Sequence, residues 1–203
     1  IFPNFTTGLE AHGNFFFGQD ILKYNVYASA AQDDPEEMLY GARLAYTLSD
    51  YGVTVGVNGL TGTRDEGSKT PGDTDYQMAG ADLLIDKGPI LWKTEIFATD
   101  EDAGSDRFAF YTQPAYRFTD KWIGFYRYDY LDDGLNVGRE PGGPDFLTVA
   151  NDEETIEHMI GVNYLPKPNV RLRVTGTRRE FESGGGFDDA EADILQFSAT
   201  YSF

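Results

Sequence analysis

Cysteine is absent from this 203-residue chain. That excludes a disulfide framework, a thiol nucleophile and a thiolate metal site. Long apolar runs are absent as well. Lysine and aspartate interrupt every candidate, so no stretch reads as a membrane helix. Basic residues are scarce, 16 Lys and Arg against 34 Asp and Glu, for a formal charge of −18. A nucleic-acid partner is therefore excluded, because phosphate binding needs a basic face. No P-loop, G-x-S-x-G or HExxH pattern occurs. No signal peptide is visible, and Ile1 reads as a mature start or an internal cut. The overall polarity suggests a water-soluble protein, yet a chain whose strands each turn one side to a wet interior has the same composition.

What is present is alternation. In the last fourteen residues, AEADILQFSATYSF, the residues Leu195, Phe197, Ala199, Tyr201 and Phe203 share one side of a strand. Gln196, Ser198, Thr200 and Ser202 share the other. Period two with one apolar and one polar side defines a strand between two environments. Ending on phenylalanine resembles the closing strand of bacterial outer-membrane barrels.

Turn signals divide the chain into eleven strand-like segments, at about 6–16, 20–31, 37–48, 51–62, 75–86, 89–99, 106–118, 121–131, 154–165, 169–181 and 191–203. Membrane-spanning strands need roughly nine to eleven residues. Connections alternate in length. Ser49-Asp50, Asp86-Lys87-Gly88, Thr119-Asp120 and Pro166-Lys167-Pro168 are short; 32–36, 63–74, 100–105, 132–153 and 182–190 are long. Short turns on one side and long loops on the other describe an outer-membrane barrel with its short turns periplasmic. The expected fold is thus all-β, a transmembrane antiparallel β-barrel in one domain over residues 1–203. Counting back from Phe203 puts Ile1 on the long-loop side, and bacterial barrels have even strand numbers. The reading therefore expects the C-terminal part of a larger barrel.

Splitting each segment by parity gives an apolar side with aromatics near the strand ends: Tyr46, Trp92, Tyr116, Phe118, Trp122, Tyr164 and Tyr201. Such residues belong at the lipid interface. The other side carries nine basic residues, expected to line a pore: Lys23, Arg43, Lys93, Arg107, Arg117, Arg127, Arg171, Arg173 and Arg179. Its expected acids are Glu10, Asp82, Glu95, Asp129 and Glu157. The remaining acid concentrates in the long connections. Arginine on a pore wall attracts anions and matches carboxylate or phosphate bidentately. Equally, lumen arginines can pair with lumen carboxylates and stiffen the wall. Arg171, Arg173 and Arg179 have few acids in their own segment, although adjacent strands could supply them.

The segment 160–174, IGVNYLPKPNVRLRV, is similar to the penultimate hairpin of porins related to the phosphate-selective porin O/P group. The starts TTGLEAHGNFFFG and LKYNVYASA also resemble that group. The resemblance implies large trimeric barrels with a basic constriction, and an anion-preferring pore with Arg171 and Arg173 among its contacts. The expected function is passive diffusion of small hydrophilic solutes, anions favoured, in the bacterial outer membrane. The alternative is a structural barrel, a membrane anchor or a sheath for a partner protein, without channel activity. Expected partners are outer-membrane lipid and lipopolysaccharide, small anionic solutes and two further copies in a homotrimer. No cofactor, no metal and no enzymatic activity are expected. His12 is expected beside Glu10 on the polar side and His158 at the membrane rim. Asp100, Glu101 and Asp102 with Asp106, and the pair Asp188 and Asp189, are candidate calcium ligands, but no loop has EF-hand spacing and solvated acidic loops are the favoured reading.

Overall fold

The computed structural model describes residues 7–30, 38–65, 73–101, 106–132, 152–183 and 190–201. Period-two patterning produces strands throughout. They are β1 (Thr7–Phe17), β2 (Asp20–Ala30), β3 (Met38–Leu48), β4 (Val53–Asp65), β5 (Asp73–Lys87), β6 (Ile90–Glu101), β7 (Arg107–Thr119), β8 (Trp122–Asp132), β9 (Asp152–Lys167), β10 (Val170–Ser183) and β11 (Ala190–Tyr201). All eleven form one sheet in chain order, each antiparallel to the next. Among the described residues β1 and β11 each pair on one side only, so the sheet is an open part of a barrel.

The strands overrun the expected loops. β5 begins at Asp73, β6 runs to Glu101 and β9 begins at Asp152. The hydrogen-bond ladder continues where hydropathy has already turned polar, because backbone pairing needs no apolar side chain. Phe203, Asp102, Asp188 and Asp189 lie outside the described residues.

Hairpin chemistry sets the short ends. Gly88 has a φ of 58° and is followed by Pro89. A left-handed residue and then proline suits a tight hairpin between twisted strands. The short turns are also tied to one another. Asp86 N donates to Gly52 O at 2.7 Å, and Leu165 N to Lys121 O at 2.8 Å. Ser49 N donates to Asp20 Oδ1 at 2.9 Å, and Arg117 Nη1 to Gly88 O at 2.8 Å.

The register is staggered. One rung of directly opposed residues runs Asn14, Lys23, Ala45, Gly56, Asp82, Glu95, Tyr111, Asp129, Glu157, Arg179, Ala192. It crosses β4 three residues from the short-turn end at Val53 but β10 nine residues from the short-turn end at Val170. Such shear is the mark of tilted strands in a curling sheet.

The two faces differ as the alternation requires. Leu9, Leu44, Val57, Ile96, Phe118, Ile160, Leu195 and Phe197 are exposed on one face, with Phe197 at 70%. The buried side chains lie on the other face: Leu39, Ala45, Leu60, Phe125, Ser29, Asn163, Thr175 and Thr177. That second face is concave, since Met78 of β5 and Arg179 and Phe181 of β10 line one cavity of about 710 Å³. The convex face is the apolar one. Near its short-turn edge Trp122 stacks on Tyr164 at 4.5 Å and Tyr116 meets Phe118 at 5.4 Å. An apolar belt edged with aromatics is what a bilayer requires of a barrel exterior.

Candidate functional site

The rung running Asp82, Glu95, Tyr111, Asp129, Glu157 and Arg179 crosses the concave face from β5 to β10. Period two keeps these side chains on one face, and the register brings them level. Four of the five expected carboxylates therefore occupy one line. Lys23 and Arg179 stand in the full rung, and Arg43, Lys93 and Arg127 lie one inward position beside it.

Three arginines are consumed by that line. Arg179 of β10 meets Glu157 of β9, with Nε at 2.7 Å and Nη2 at 2.5 Å from Oε2. Arg127 meets Asp129 two residues along its own strand, with Nε at 2.9 and 2.7 Å from the two oxygens. Its guanidinium also lies 4.0 Å from the centre of the Tyr111 ring. Arg43 of β3 reaches past β4 to Asp82 of β5, with Nη2 at 2.6 Å from both carboxylate oxygens. Gly56 makes this crossing possible. A Cβ there would stand 2.2 Å from Asp82 Oδ2 and 2.9 Å from Arg43 Nη2.

The stripe of Arg171, Arg173 and Arg179 is thereby divided. Arg179 is neutralised by Glu157 from the neighbouring strand. Arg173 instead donates Nε to the neutral amide oxygen of Asn163 at 2.9 Å, and its guanidinium centre lies 5.1 Å from the Phe125 ring. Among the described residues its terminal nitrogens make no ion pair. Arg171 has no carboxylate partner among the described residues, and neither do Lys23 or Lys93. These four cations share the short-turn half of the concave face. Arg117 is held at the short-turn edge by Asp86 at 2.8 Å. Arg107 stands at the opposite end and lines the same cavity as Glu95, Tyr111 and Glu157.

The resulting electrostatics are uneven. From β1 to β6 the expected bases Lys23, Arg43 and Lys93 face Glu10, Asp82 and Glu95. From β7 to β11 the arginines 107, 117, 127, 171, 173 and 179 face Asp129 and Glu157. Guanidinium groups without a local carboxylate offer a planar fork of donors to an anion.

Both histidines have found neighbours. His12 Nδ1 lies 3.0 Å from Glu10 Oε1 on the concave face, where Asn25 Nδ2 also donates to Glu10 at 2.5 Å. His158 Nδ1 lies 2.7 Å from the Tyr126 hydroxyl on the convex face. Among the described residues no three His, Asp or Glu side chains gather in a way that could hold a metal ion. Sequence reading did not find Gly56, Tyr111, Asn163 or the amides Asn25 and Asn58. Their roles arise from cross-strand register, and the one available signal was their shared parity with the charged residues.

No protein-family model matches the chain, and no curated protein matches it. Solved structures do. The outer-membrane channel DcaP of Acinetobacter baumannii aligns with a TM-score of 0.63 at 14% identity, over 96% of this chain and 62% of that one. OccK1 (OpdK) of Pseudomonas aeruginosa aligns at 0.58 and 15% identity, over 96% and 56%. Outer-membrane expressed OmpT of Vibrio cholerae aligns at 0.57 and 14%, over 90% and 64%. The chain thus spans less than two thirds of the length of each. It has the fold of an outer-membrane β-barrel of the porin type.

Proposed function

We propose that this chain forms the larger part of the wall of an outer-membrane channel. Small hydrophilic solutes diffuse passively along its concave face, and anions are preferred. We read it as a channel component, not an enzyme. The observation that carries the anion preference is the surplus of arginine on β7–β11, with Arg171 and Arg173 free of carboxylate partners among the described residues. Basic groups on a low-dielectric wall concentrate anions in the adjoining water. The channel-type fold of DcaP and OccK1 supports the same reading. The narrower likeness to phosphate-selective porins belongs to this proposal, resting on the hairpin 160–174 that carries these two arginines. Lipopolysaccharide contact at the long-loop end and assembly as a trimer are proposed with it.

The test is the reversal potential of the protein in planar bilayers under a potassium chloride gradient. The expected result is a chloride-selective current. The variant Arg171→Ala with Arg173→Ala is expected to lower the chloride-to-potassium ratio by about threefold, the Boltzmann factor for losing about one kT of local potential. An unchanged ratio contradicts the role given to these two residues. A folded protein without current favours the anchor or sheath.

A further inference from the structure

The β1–β6 half of the concave face contains a second cavity, of about 540 Å³, lined by Glu10, Asn25, Arg43, Asn58, Asp82 and Glu95 among others. Its hydrogen bonding is lopsided. The guanidinium of Arg43 is spent on Asp82. Glu10 accepts from Asn25 Nδ2 and lies 3.0 Å from His12 Nδ1. Glu95 stands directly opposite Tyr111 of β7. Lys93, one rung nearer the short turns, makes no ion pair with it. Among the described residues neither Glu10 nor Glu95 forms an ion pair with a lysine or an arginine.

The amides point the same way. Asn25, Arg43 and Asn58 stand directly opposite one another on β2, β3 and β4. Asn25 Oδ1 and Asn58 Oδ1 are both shielded from solvent and have no donor. The orientation of Asn25 is fixed, because turning the amide over would forfeit its bond to Glu10. Shielded acceptors without donors are rare, and each one calls for an explanation. Among the described residues this cavity wall carries three carboxylates against one arginine, and two of its amide oxygens lack a donor.

We propose that this cavity is a subsite for a primary ammonium group. Glu10 and Glu95 supply the charge, and Asn25 and Asn58 supply the orphan oxygens. The proposal rests on the channel reading and narrows it. A wall with unpaired arginines on β10 and an ammonium subsite on β1–β6 suits zwitterionic solutes, with a carboxylate at one end and an amine at the other.

The experiment uses the purified full-length protein with butylammonium, butyrate and 4-aminobutyrate as probes, read by block of single-channel current and by titration calorimetry. Glu10→Gln with Glu95→Gln is expected to weaken butylammonium binding about tenfold, as loss of a charge-assisted contact implies. Butyrate binding is expected to stay as it was. Asn58→Leu, which leaves every charge in place, is expected to weaken butylammonium about threefold, a loss of the size one neutral hydrogen bond supports. In the wild type 4-aminobutyrate is expected to bind more tightly than either single-charge probe. Butylammonium binding that is absent, or that survives both variants unchanged, overturns the subsite. Protein that binds butylammonium in the calorimeter but passes no current overturns the channel reading and leaves the subsite standing.

Discussion

The two halves of the concave face, β1–β6 and β7–β11, belong to one continuous antiparallel sheet, yet they treat charge differently. From β1 to β6 the arginine whose side chain is described, Arg43, is tied to Asp82 across a whole strand by way of Gly56. From β7 to β11 six arginines share the inward parity, at 107, 117, 127, 171, 173 and 179, and among the described residues carboxylates meet only some of them. In the first half the shielded amide oxygens of Asn25 and Asn58 lack a donor among the described residues, and Lys23 and Lys93 lack a carboxylate. In the second half the cations without a carboxylate among the described residues are the guanidinium groups of Arg171 and Arg173. What the comparison teaches is that net charge is a poor guide to such a wall. The chain carries −18 overall, while its most cation-rich surface is set by which arginines lack a carboxylate on the neighbouring strand.

The comparison presumes that both halves turn the same face outward, and that is the first point at which to break it. Phe197→Arg places charge on the convex side of β11 and is expected to cost about 2–4 kcal/mol if the site lies near the bilayer midplane. Gln196→Arg, one residue away on the concave side, is expected to cost little. Urea unfolding in lipid vesicles measures both. Equal costs would remove the distinction between faces.

Gly56→Val sharpens the account of the balanced half. Its new side chain must displace Asp82 or Arg43, so the crossing pair breaks, at an expected cost of about 1.5–3 kcal/mol for a lost charge-assisted bond. Reversal potential should hardly change, because the two charges cancel whether or not they touch. The same two measurements on Glu157→Gln should give a different answer. There Arg179 loses its only carboxylate, stability falls by about 1–2 kcal/mol, and chloride preference rises. The smallest effect is expected from Lys93→Gln, a modest fall in chloride preference of well under twofold, since one exposed charge is largely screened at physiological salt.

Much of this was legible before any coordinates. Strict alternation in 191–203 and 169–181, with Gly88-Pro89 and similar turn signals between segments, fixes strand number, face assignment and hairpin order. The expected parity of the nine basic and five acidic residues agrees with the register. Three things were not legible. Strand ends were underestimated, because the ladder through Asp73, Glu101 and Asp152 continues without apolar side chains. Pairing was hidden, because Arg179 finds Glu157 only through a register that includes an irregularity between Val170 and Leu172. That break falls opposite Pro166, a residue with no N–H to give to the ladder. The Arg43–Asp82 contact was hidden further, since it skips a strand and depends on a missing Cβ at Gly56.

The most direct test sets the two halves against each other. Two cations are neutralised in each, Lys23→Gln with Lys93→Gln on one side and Arg171→Gln with Arg173→Gln on the other, and reversal potentials are measured under one salt gradient. The account predicts that the arginine pair removes most of the chloride preference and the lysine pair only a minor part. Equal losses, or a larger loss from the lysines, would contradict it.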